Sequence, residues 1–328
     1  MTTKVSIVIP VKAVNDFLRQ ETIPALLKQT YQNLEIIIIT DKPSKESASW
    51  RTKTKIIPSW PKTGPADKRD LGVQKAKGEI IAFLDDDSYP DKNWLKNAIK
   101  IFNQPLIAAV CGPALTPPHN SFRQKASGYV WSTWLGSGGA GTYRCTVSQR
   151  REVDDFPTVN LLVRKKDFLS VGGFDSHFWP GEDSKFCHDL VYKLGKKIIY
   201  DPKVLVYHHR RAVFKHHLQQ IARYAIHRGH FARILPKTSL RIGYLVPTVF
   251  VAGLVLGLLL SFVHPLFKFG YLGVLGIYGV ALLLTALRIC LKEKNLRLAL
   301  LVIPSIFITH VAYGILFIKG FFSKGLKR

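Results

Sequence analysis

The feature that most limits what this chain can fold into is where its charges are missing. No Asp, Glu, Lys or Arg occurs in residues 242–267, 269–287 or 298–318. Each window comes close to the roughly 20 apolar residues that a helix needs to cross a bilayer. One such window would suit a buried core helix. Three in succession predict a membrane region, residues 242–328, with about three hydrophobic helices that span or insert deeply. Positive-inside bias puts the linker "LKEKNLR", between the second and third windows, on the cytoplasmic side. Three full crossings then put the basic tail "SKGLKR" outside, against the same bias. A re-entrant or flat-lying window is the alternative.

The remainder is strongly basic. The 328 residues hold 47 Lys plus Arg against 22 Asp plus Glu, a formal net charge of +25. Nucleic-acid binding is therefore one class to weigh, in the form of a non-catalytic, membrane-tethered binding protein. However, the acids cluster at the ends of apolar runs, where a polyanion would be repelled, so no nucleic-acid partner is expected. Cys111, Cys145, Cys187 and Cys290 are scattered without metal-site spacing, which suits a reducing compartment. The apolar core of "KVSIVIPVK" is too short for a signal peptide. The expected location is a multi-pass protein of the cell membrane with its N-terminal part in the cytoplasm.

From residue 4 to about residue 207, short β-rich runs alternate with helical stretches. "VSIVIP", "LEIIIIT", "TKII", "EIIAFL" and "LIAAVCG" read as strands, and their unbroken Ile/Val content implies burial on both faces. "NDFLRQETIPALLKQ", "PADKRDLGVQKAK" and "DKNWLKNAIKIF" carry helical spacing between them. The alternation predicts an α/β domain, residues 1–210, built on a parallel sheet. Ligands of such sheets bind beyond the carboxyl ends of the strands. Asp41 follows one run, and Asp85, Asp86 and Asp87 follow another. Next comes "HHRRAVFKHHLQQIARYAIHRGHFARILPK", which has no acid. Residues 211–241 are expected to form a basic amphipathic helix against anionic headgroups, with Val213, Leu218, Ile221, Tyr224, Ala225 and Phe231 on its apolar side.

Three adjacent carboxylates repel one another and call for compensation. A divalent cation supplies it, since Mg²⁺ or Mn²⁺ typically uses one or two carboxylates together with substrate phosphates. Helix capping does not explain the triplet, because Asp91 can serve that purpose by itself. Upstream of the triplet, Lys68 and Arg69 are placed where they could meet a phosphate-bearing ligand.

Taken in order, "VSIVIPVK", the DxD-type triplet, "GGFD" followed by "GED", and "QIARY" resemble the motifs of family 2 glycosyltransferases with the GT-A fold. The resemblance covers roughly residues 4–233. It implies that Asp85 and Asp87 form the DxD pair that handles a nucleotide-sugar diphosphate, with Asp87 the direct metal ligand and Asp86 beside them. It implies that Asp41 and the backbone near Pro10 contact base or ribose. Asp183 would be the catalytic base, with Glu182 helping to hold the acceptor. Gln220, Arg223 and Tyr224 would stand near the diphosphate and acceptor. Three positions depart from the pattern: Lys42 after the strand, Asp70 where Asn is frequent, and Tyr224 in place of Trp.

The chemistry follows from those roles. A departing diphosphate needs positive charge, and an acceptor hydroxyl needs its proton removed as it attacks the anomeric carbon. Asp183 follows Gly181 and opens the apolar-periodic run Phe186, Leu190, Val191, Leu194, which places it in a first helical turn. A base opposite the leaving group implies direct displacement with inversion. It also favours a sugar hydroxyl of a glycan or lipid-linked glycan, in cell-envelope or exopolysaccharide synthesis, over a polyprenyl phosphate that is already anionic. A polyprenyl-phosphate glycosyltransferase is the runner-up. His208 or His209 is a candidate to complete the metal shell. "GSGGAG" (136–141), with Asp154 and Asp155 beyond it, fits a dinucleotide fingerprint only by spelling. It lacks the preceding first strand and reads as a loop beside the active site.

Overall fold

The computed structural model describes residues 3–44, 50, 52–60, 63–139 and 141–325. Two compact units emerge: residues 1–117 with 146–209, and residues 118–145 with 210–327.

The first unit contains eleven strands among its described residues: β1 (Val5–Pro10), β2 (Leu34–Thr40), β3 (Thr54–Pro58), β4 (Ile80–Leu84), β5 (Ser88–Pro90), β6 (Ile107–Cys111), β7 (Ala114–Leu115), β8 (Arg151–Val153), β9 (Asn160–Arg164), β10 (Lys197–Tyr200) and β11 (Val206–His208). Eight form one sheet in the order β3-β2-β1-β4-β9-β6-β10-β8. The Ile/Val runs of β1, β2 and β4 are buried along their whole length, as expected of strands covered on both faces. β1 runs parallel to both β2 and β4, so Pro10, Asp41 and Asp85 arrive along one edge of the sheet.

The sheet is mixed rather than parallel, which corrects the expectation from the alternating pattern. β9 lies between β4 and β6 and is antiparallel to both. Its five residues have no crossover helix to announce them. They are held by long-range pairing and by Asn160, whose amide donates to the carbonyls of Gly112 and Val204 while its oxygen accepts from the Trp94 indole. A second, three-stranded sheet has the order β5-β11-β7.

The helix Pro65–Lys75 starts with proline at its first turn and lies against β1. A Cβ at Gly72 would sit 2.3 Å from Val8 Cγ1, so glycine is what permits that approach. The close seating sets the depth of Lys68 and Arg69, both buried on the same helix.

The second unit is helical. Helices Ile242–Ser261, Pro265–Glu293 and Leu296–Phe321 are each long and apolar enough to cross a membrane. The basic stretch forms the helix Lys215–Ile234, which packs along Leu296–Phe321. The contact depends on small residues: a Cβ on Gly320 would lie 2.0 Å from the Ile226 carbonyl oxygen, and one on Gly229 2.1 Å from that of Phe317. Of the expected apolar face, Val213, Ile221, Ala225 and Phe231 are buried, whereas Tyr224 is exposed. His217 joins that face, bridging the Ser127 hydroxyl at 2.8 Å and the Thr309 hydroxyl at 3.0 Å. Burial holds its imidazole down at about 4, so it is neutral at physiological pH. "GSGGAG" joins the short helices Trp134–Ser137 and Thr142–Cys145, with Gly138 and Gly139 at positive φ. A helix, Phe122–Ser132, precedes it rather than a strand, which is the wrong setting for a dinucleotide loop. Ala140 lies outside the described residues.

Candidate active site

The site is built on the edge where β1, β2 and β4 end. Pro10 closes β1, and the next carbonyl, that of Val11, accepts a bond from Lys68 Nζ at 2.7 Å. The same ammonium is ion-paired with Asp41, whose backbone N–H donates to Lys12 at 3.0 Å. Val11, next to Pro10, is thus connected through Lys68 to Asp41. Lys68, which the sequence placed to meet a phosphate, is engaged by protein oxygens.

Arg69 makes the longer connection. One guanidinium nitrogen donates to Asp85 Oδ1 and another to Glu182 Oε1, each at 2.9 Å. The arginine and Glu182 are both buried, and the guanidinium carbon lies 5.9 Å from the Phe174 ring centroid. One side chain therefore ties the aspartate triplet to the "GED" segment, 113 residues from Arg69 in sequence. Burial, and then the adjacent Asp183 charge, push the Glu182 carboxyl above its ordinary range, against the pull of Arg69.

The three aspartates face different surroundings. Asp85 takes Arg69. Asp86 accepts from the Asn15 amide, while its backbone oxygen accepts from Thr22 at 3.3 Å. Burial, then repulsion from Asp87 and Asp85, raise the Asp86 carboxyl to about 6. Asp87 meets His208, with Nε2 3.2 Å from Oδ1. The small sheet causes that meeting: β11 pairs antiparallel to β5 with His208 opposite Ser88, and His209 N–H donates to the Asp87 carbonyl at 3.1 Å. Asp85, Asp87 and His208 each offer a ligand atom, and these atoms lie within 4.8 Å of one another. Two carboxylate oxygens and an imidazole nitrogen suit a divalent cation of the Mg²⁺ or Mn²⁺ type. Of the two candidate histidines, His208 joins this cluster. His209 instead turns to Glu21, with Nε2 3.1 Å from both carboxylate oxygens.

Asp183 lies in the first turn of the helix Glu182–His188 and is half-buried; its Oδ1 accepts the Ser184 backbone N–H at 2.8 Å. Behind it, the Ser184 hydroxyl donates to buried Asp155 at 2.7 Å. Asp155, which the sequence offered only as part of a false dinucleotide motif, thus supports the turn that carries Asp183. Asn15, Thr22 and Glu21 were also unmarked, since nothing in "AVNDFLRQET" signals a partner more than 60 residues away. Gln220, Arg223 and Tyr224 lie on the helix Lys215–Ile234 in the second unit, where Gln220 Nε2 donates to the Tyr224 hydroxyl at 3.3 Å.

Comparison with known proteins agrees with this geometry. The family model for Glycosyl transferase family 2 matches residues 6–170, half of the chain. A pre-mycofactocin glycosyltransferase of Mycobacterium tuberculosis is 28% identical over 169 residues, 52% of this chain; the chain spans only 34% of that relative's length. A Methanococcus voltae enzyme, named as a dolichyl N-acetyl-alpha-D-glucosaminyl phosphate glucuronosyltransferase, is 23% identical over 76% of this chain and 73% of its own. Among solved structures, the mannosyltransferase PcManGT of Pyrobaculum calidifontis, in complex with GDP-Man and Mn²⁺, is 19% identical. It superimposes with a TM-score of 0.57 over 99% of this chain and 88% of its own, a likeness of fold. The chain belongs to glycosyltransferase family 2, with a GT-A-like α/β domain followed by three apolar helices long enough to span a membrane.

Proposed function

We propose that this enzyme transfers a sugar, with inversion, from a nucleotide-diphosphate donor to a hydroxyl of a glycan or lipid-linked glycan, at the cytoplasmic face of a cell membrane. The observation that carries the reading is Arg69, which holds Asp85 of the triplet and Glu182 of "GED" at 2.9 Å each, so that one guanidinium joins the acids assigned to donor and to acceptor.

Asp87 and His208, with Asp85, would hold the cation, Mg²⁺ or Mn²⁺. When bound, such an ion neutralises charge that builds on a departing diphosphate. The remaining steps belong to the chain. Asp41 and the Pro10 backbone seat the nucleoside, with Lys68 fixing Asp41. Arg69 supplies a second positive centre beside Asp85. Asp183 takes the proton of the acceptor hydroxyl, and Glu182, held by Arg69, is suited to accept a hydrogen bond from the acceptor. Gln220, Arg223 and Tyr224 are assigned to the diphosphate and acceptor by motif order. The acceptor assignment draws support from the Methanococcus relative, whose name specifies a sugar already carried on a dolichyl phosphate.

The test is a screen of GDP- and UDP-sugars with the purified full chain, with Mg²⁺, Mn²⁺ or chelator present. Chelator and Asp87→Asn should abolish donor turnover. Asp183→Asn should retain donor binding while transfer falls by about 10²–10⁴-fold, the usual contribution of a general base. A product of retained configuration, or a phosphodiester on polyprenyl phosphate, would overturn the reading.

A further inference from the structure

Within the second unit, a groove of about 350 Å³ runs between Tyr129 and Trp134 on one side and the last turns of the helix Pro265–Glu293 on the other. Its walls are apolar, with Leu284 and Ile289 among them, and its polar end carries Arg288 and Lys292, one helical turn apart. Volumes of this size hold small ligands.

Glu293 is the only acid after Asp201 in the whole sequence. It accepts the Tyr129 hydroxyl at 2.5 Å, which fixes the ring of Tyr129. The Lys292 ammonium lies 5.6 Å from the centroid of that ring. Arg288 and Lys292 are both exposed. Trp134, 75% exposed, stands beside them, the placement of an aromatic at a membrane–water boundary. Leu284, Leu287 and Leu291 on the same helix are exposed too, and only hydrocarbon would cover them favourably.

We infer that this groove is a binding site for one anionic phospholipid, its phosphate on Arg288 and Lys292 and its first acyl carbons along Leu284, Ile289 and Trp134. Charge complementarity selects an anion, and the apolar walls select one attached to a chain rather than a free ion. The site uses none of the residues assigned to the transfer reaction.

The experiment is native mass spectrometry of the detergent-purified full chain, offered equal amounts of phosphatidylglycerol and phosphatidylcholine. The wild-type chain should retain one phosphatidylglycerol. The Arg288→Gln/Lys292→Gln variant should bind it about 30-fold more weakly, at roughly 1 kcal/mol per basic residue. Leu284→Trp, which fills the groove and alters no charge, should expel the lipid as well. Lys268→Gln/Lys319→Gln, with the same charge removed elsewhere, should bind within about twofold of wild type if the effect is local rather than long-range. Equal retention of both lipids, or equal loss in the charge-matched control, would overturn the site. Displacement by inorganic phosphate at matched concentration would assign a soluble anion instead. Preferential retention of a polyprenyl phosphate would assign an isoprenoid lipid. Circular dichroism of each variant separates loss of the site from loss of fold.

Discussion

The two units of the molecule bury polar groups in opposite ways. In the first, the buried cations stand in pairs with carboxylates: Lys68 with Asp41, and Arg69 with Asp85 and Glu182. In the second, buried polar side chains along the basic helix include histidines, of which His217 is held neutral between two hydroxyls. Removing a charge from water costs several kcal/mol, and a partner at hydrogen-bond distance offsets it. A unit proposed to grip a charged donor has reason to keep charges under cover. One built on apolar helices does better with uncharged donors and acceptors and with glycine contacts. The difference can be broken experimentally from either side.

The largest expected effect comes from breaking a pair. Arg69→Met keeps the volume and removes the cation, leaving buried Glu182 and half-buried Asp85 without it. Loss of one partner of a buried pair typically costs about 3–5 kcal/mol. Chemical denaturation should show that loss. Adding Glu182→Gln to Arg69→Met should return part of it, because the orphaned carboxylate is then gone. A double variant no more stable than the single one would mean that Arg69 acts through packing on Phe174 and not through charge.

How much of this was legible beforehand follows the same division. The apolar windows, the Ile/Val strands and the aspartate triplet are local patterns, and they lie where the sequence placed them. What failed to show was pairing across long separations. β9 reads as five residues of no particular period, and its antiparallel setting is decided by β4 and β6. β5 and β11 have three residues each, too few for periodicity, yet they bring His208 to Asp87. Lys68 and Arg69 were recognisable as cations near the site, but their carboxylate partners are tertiary facts. "GED" and the triplet could be named separately, whereas the arginine joining them could not.

A second test loads the other unit. Gly320→Leu drives a side chain toward the Ile226 carbonyl, where even a Cβ would sit 2.0 Å away. Overpacking of this kind costs about 1–3 kcal/mol, and the helix Lys215–Ile234 would have to move off Leu296–Phe321. Faster proteolysis in the stretch 210–241 is the expected outcome, with sugar transfer falling alongside it because Gln220, Arg223 and Tyr224 lie on the same helix. Unchanged proteolysis would show that the basic helix is not held by this glycine contact.

The smallest expected effect sharpens the comparison most, because it concerns a carboxylate in the first unit that lacks an ion-pair partner among the described residues. Asp70 accepts the Phe174 backbone N–H at 3.0 Å, and its carboxyl is raised to about 6, first by burial and then by the nearby Asp67 charge. A carboxyl raised in the folded state binds protons more readily there than in the unfolded chain. Its contribution to stability is therefore full below about pH 4 and is lost as pH rises through about 6. Asn at this position keeps the oxygen that Phe174 needs and removes the charge. Asp70→Asn should thus match wild type near pH 4 and exceed it at pH 7.5 by about 1–2 kcal/mol, after allowance for the solvent that still reaches the group. Thermal melts at the two pH values measure the difference. A variant equally destabilised at both would show that Asp70 is held by a bond Asn cannot make, and that this unit tolerates an unpaired acid for a reason other than its charge.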